Sequence, residues 1–73
     1  MKEVDYSQLR TKVTLTCKWL ADYDMPKDSK KRHYYFTKSE IEIALASGKI
    51  EMIEAGRLIE TLKIFKEEFI GGI

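Results

Sequence analysis

Cysteine occurs once in this chain, at Cys17, so no disulfide can form within it, and one unpaired thiol suits a reducing compartment. Cys17 and His33 are also its only strong soft or borderline metal ligands. Structural zinc normally takes four ligands, so no metal is expected. Proline occurs once, at Pro26, where it disfavours helix at Met25 and ends the first element. No apolar run approaches the roughly 20 residues of a membrane span. The N-terminus, Met-Lys-Glu-Val-Asp-Tyr, lacks the apolar core of a signal peptide. These absences read as a cytoplasmic protein with no membrane partner. There is no internal repeat and no low-complexity run.

Catalytic constellations are also missing. General-base work needs an orienting acid and a nucleophile in reach, and the spacing of His33, Ser29 and Ser39 forms no triad. His33 reads as an exposed residue and Cys17 as an inert core thiol. Glu51, Glu54, Glu60, Glu67 and Glu68 read as a solvated helix face rather than a paired-carboxylate site. The chain is expected to be no enzyme and to use no cofactor.

Its 73 residues make one small domain, 1–73. A domain of this size buries only about 60% of the surface its unfolded chain exposes. With disulfide and metal excluded, stability falls to helix packing or self-association. The net charge of +1 is unevenly spread. Residues 27–38 hold Lys27, Lys30, Lys31, Arg32 and Lys38 against Asp28, whereas residues 39–73 hold four basic groups against seven acidic ones. The middle is basic and the C-terminal third acidic.

The strongest pattern is the stripe Ala55, Leu58, Leu62, Phe65 and Phe69, spaced three and four apart and widened by Met52 and Ile59. It predicts an amphipathic helix of about 20 residues, from near Ile50 or Glu51 to near Ile70, with Gly71-Gly72-Ile73 as a stop and tail at 71–73. Tyr6, Leu9, Val13, Cys17 and Leu20 predict a first helix, with Asp5 and Gln8 as a capping box and Val4 and Leu9 as a staple. Leu15, Trp19 and Tyr23 make a second apolar line on it. Val13, Leu15, Cys17 and Trp19 also alternate with polar residues, as a strand would.

Residues 24–33 read as a basic loop, followed by extended His33-Tyr34-Tyr35-Phe36. A short second helix is expected from an N-cap at Thr37, with Glu40 at N3 and a Phe36–Ile41 staple, to Gly48 at C′. The expected fold is all-α: three helices, the first and third antiparallel and the second across one end. The alternative is α+β, with a strand at 11–19 paired with one at 32–36.

Three groups of residues are candidate sites. Leu15, Trp19 and Tyr23 suit a protein partner, because Trp and Tyr bury much area while keeping a polar handle. Lys30, Lys31 and Arg32 with Tyr34 and Tyr35 combine cations for phosphate with rings for base stacking. Ile53 and Ile64, opposite the stripe of the last helix, suit self-association. Helix-turn-helix binding to DNA is disfavoured, because Glu51 and Glu54 open the would-be recognition helix and repel phosphate. The preferred reading is a non-enzymatic regulator or inhibitor that binds a larger protein assembly as a homo-oligomer. A phage or mobile-element accessory factor is the setting its size suggests. The alternative is a protein that binds nucleic acid or a nucleotide through Lys30–Tyr35.

Overall fold

The structure, a computed structural model, describes residues 6–71. It holds three helices, α1 (Tyr6–Leu20), α2 (Lys27–Ala46) and α3 (Met52–Phe69), and no strand among the described residues. The fold is all-α, as the sequence predicts. Segments 11–19 and 32–36 do lie side by side, but as helices. The expected cap at Asp5 and staple residue Val4 lie outside the described residues, as do Gly72 and Ile73.

Cross-contacts fix the direction of each helix. Trp19 meets His33, Thr16 meets Thr37 and Lys12 meets Glu40, so residue numbers fall along α1 as they rise along α2. The Lys30 ammonium near the Phe69 ring and the Lys66 ammonium near the Tyr34 ring show the same antiparallel relation between α2 and α3. It follows that α1 and α3 run the same way, not antiparallel as expected. The cause is α2, which spans 20 residues and packs along both neighbours instead of lying across one end.

The sequence reading starts α2 about ten residues too late. Pro26, the N-cap residue, has no amide to lose there, and its carbonyl accepts the N–H of Lys30 at 3.1 Å. Residues 27–33 of the expected basic loop are therefore helical, and so is the expected extended segment at 33–36. Thr37 is no N-cap: it sits mid-helix, buried, with its hydroxyl 2.7 Å from that of Thr16. The Phe36–Ile41 staple fails with it, since Phe36 points outward while Ile41 is fully buried. Lys30, Tyr34, Thr37, Ile41 and Ala44 form the buried stripe of α2, at helical spacing. Two of the five are polar, which hid the stripe from a hydrophobicity reading.

The core joins that stripe to Leu9, Val13, Cys17 and Leu20 of α1 and to Ala55, Leu58 and Leu62 of α3. Phe65 and Phe69 pack at its edge, ring centroids 5.8 Å apart. Met52 does not widen the stripe; it is 76% exposed. Each fully buried leucine contributes about 1.5–3 kcal/mol by leaving water. α2 ends as expected at Gly48, whose φ of +74° places it in the left-handed region. Gly48 N–H donates to Leu45 and Lys49 N–H to Ala44, the paired bonds of a Schellman stop. At the start of α3 the Glu54 carboxylate accepts the N–H of Glu51 at 2.9 Å. No helix among the described residues is long and apolar enough to cross a membrane.

Candidate protein-binding groove

Two antiparallel helices with small or polar residues at their contact leave a furrow between their larger side chains. In α1 and α2 the contact is Thr16 against Thr37, both sealed from solvent and each satisfying the other. Their side chains are too short to fill the space above them. An open groove of about 770 Å³ results. Leu15 stands on the α1 wall, Tyr35 and Phe36 on the α2 wall, 44%, 50% and 66% exposed. Trp19 and His33 close one end, their ring centroids 4.2 Å apart and their planes tilted by 34°. The Lys12–Glu40 ion pair closes the other. Ile43, two turns beyond Phe36 on α2 and also exposed, extends the apolar face past that ion pair.

The predicted partner line is split. Leu15 and Trp19 both line the groove. Tyr23 does not continue them, because α1 stops at Leu20 and leaves Tyr23 in the connection, 92% exposed. That connection is a turn in which the Asp22 carboxylate accepts the N–H of Asp24. Phe36 and His33 are groove residues that the sequence reading placed elsewhere, one in a staple and the other free in solvent. Their signal was the helical spacing of His33, Phe36, Glu40 and Ile43, legible only once α2 is carried back to Pro26.

The predicted phosphate set is also divided, since a helix sends neighbours to different faces. Lys30 and Tyr34 turn inward, the ammonium 6.0 Å from the centre of the Phe69 ring and the Tyr34 ring 5.7 Å from the Lys66 ammonium. Tyr34 is thus closed to a stacking base. Lys31, Arg32 and Tyr35 remain at the groove. Ile53 and Ile64 lie on the outer side of α3, away from the groove, both exposed.

Three cations against one acid line the groove, and Glu40 is taken up by Lys12. The end near Trp19 therefore keeps the positive charge of Lys31 and Arg32. Cys17 lies in the core, where burial pushes its thiol pKa up and favours the unreactive protonated form. No cluster of metal-ligating side chains occurs among the described residues. Comparison of the chain with protein-family models, with curated proteins and with solved structures finds no match.

Proposed function

We propose that the protein is a non-enzymatic regulator that binds a larger protein assembly, taking an apolar helix of its partner into the α1/α2 groove. One observation carries this reading: Leu15, Tyr35 and Phe36 stand exposed around a single apolar furrow whose floor is already satisfied. Exposed apolar residues scattered singly need no explanation, but a contiguous set marks a contact surface. The groove runs about two helical turns, the length over which an amphipathic helix presents anchors at i, i+3 or i+4 and i+7. Lys31 and Arg32 at one end favour a partner helix with acidic flanks. Self-association through the outer face of α3 belongs to the same reading.

The test is position-specific crosslinking in cells of the source organism. A photoreactive residue at Phe36 is expected to capture one defined protein, and Leu15→Asp on the opposite wall is expected to abolish that capture. The same probe at Thr14, exposed on α1 outside the groove, serves as control. Identical products from both positions, or none from Phe36, overturn the reading. The phosphate alternative is read in parallel by fluorescence anisotropy with single-stranded oligonucleotides. Salt-dependent binding lost in Lys31→Ala/Arg32→Ala would favour it.

A further inference from the structure

The outer side of α3 carries a second unpartnered face. Ile53 and Ile64 on it are 70% and 56% exposed. Eleven residues apart, they differ by about 20° around the helix and by about 16 Å along it. Arg57 and Glu60, both exposed, lie between them and close to the same line. Gly56 flanks that line in the helix interior, where glycine weakens a helix. A Cβ at Gly56 would meet nothing within 4 Å, so nothing inside the chain calls for glycine there.

We propose that this face pairs with the same face of a second copy of the chain, the two α3 helices antiparallel, with Ile53 level with the partner's Ile64. The charges select this arrangement. Ile53 and Ile64 are centred on the point between Leu58 and Ile59, and so are Arg57 and Glu60. The two-fold antiparallel register that sets Ile53 level with the partner's Ile64 therefore also sets Arg57 level with the partner's Glu60, and each match occurs twice. Gly56 falls level with the partner's Thr61, and its missing side chain lets the backbones approach. An in-register parallel pair would instead set arginine on arginine and glutamate on glutamate.

The groove is the poorer place for a second copy, because its charged lining is mostly basic, Lys12, Lys31 and Arg32 against Glu40, so two copies would present like charge to each other. One helix per copy makes a small interface, below the about 1,200 Å² of standard stable complexes, so the dimer forms and dissociates with concentration. The inference rests on the self-association part of the reading above and is independent of what fills the groove.

Sedimentation velocity of the full chain over a concentration series tests it, with circular dichroism as the fold check. The parent is expected to pass from monomer to dimer. Arg57→Glu alone and Glu60→Arg alone should each weaken association at least tenfold. An equimolar mixture of the two variants should recover the parent affinity, because both charged contacts of the mixed dimer then join opposite signs. The like charges that each variant places within its own helix persist in the mixture, so recovery reports pairing between chains.

A parent that stays monomeric at every concentration overturns the proposal, and so does a mixture as weak as its components. A dimer indifferent to both changes also overturns it, while leaving groove docking intact. If charge reversal unfolds the chain, cysteines replace it: Ile53→Cys mixed with Ile64→Cys should crosslink on air oxidation, and Ile53→Cys alone should not. Equal crosslinking in both samples counts against the register.

Discussion

The hydroxyls of Thr16 and Thr37 lie 2.7 Å apart in the contact between α1 and α2, both side chains sealed from water. Each is the other's partner, and no buried side-chain nitrogen or oxygen among the described residues is left without one. Removing one hydroxyl strands the other. Thr16→Val or Thr37→Val alone should therefore cost about 1–3 kcal/mol of folding stability. The double variant should cost less than the two singles together, since it strands nothing. Urea denaturation of the four proteins measures the coupling, and strict additivity would show that the pair does not act as one.

Groove and core should respond oppositely to mutation. Phe36 is two-thirds exposed, so Phe36→Asp should shift stability by no more than about 0.5 kcal/mol. Leu62 is fully buried, and Leu62→Ala should cost about 2–5 kcal/mol through lost transfer energy and the cavity left behind. Thermal melts of both variants decide the matter. A large loss in Phe36→Asp would mean that its ring is packed, and the groove would then lose a wall.

Cys17 gives a prediction in pH. Burial raises its thiol pKa above the ordinary 9.0, so the native state keeps a proton that the unfolded chain sheds near that value. The folded form binds more protons there, and stability must fall as pH rises. The contribution of Cys17 is accordingly complete below pH 9.0 and lost progressively above it, up to the raised folded value. Urea midpoints between pH 7 and pH 10, compared with those of Cys17→Ala, isolate it. Thiol alkylation should be slow in the native chain and fast in denaturant.

The same physics explains how much of this was legible in the sequence. The stripes of α1 and α3 are apolar at nearly every buried position, so periodicity alone finds them. The stripe of α2 contains Lys30, whose stem packs inward, and Thr37, whose partner Thr16 is twenty-one residues away. Neither registers as core until the neighbouring helix is in place. Thr37-Lys38-Ser39-Glu40 also has the spacing of a capping box, a local pattern that the longer helix overrides. Half of the groove follows from that error. Leu15 and Trp19 are visible as a second line on α1, whereas Phe36 becomes part of the opposite wall, and His33 part of the closed end, only when 27–36 is helical.

Two glycines should behave in opposite ways when changed to alanine. Gly48 holds φ at +74°, a conformation a Cβ disfavours, and its N–H closes α2. Gly48→Ala should destabilise by about 1–2 kcal/mol although there is open space for the methyl group. Gly56 has ordinary helical geometry and equally open space, so Gly56→Ala should stabilise the dilute monomer by about 0.5–1 kcal/mol, through better helix propensity and a less free unfolded chain. Melts at low concentration test both signs. At high concentration the gain at Gly56 should shrink, because in the proposed dimer the added methyl group lies where two α3 backbones approach. A gain independent of concentration would mean that no helix crosses there.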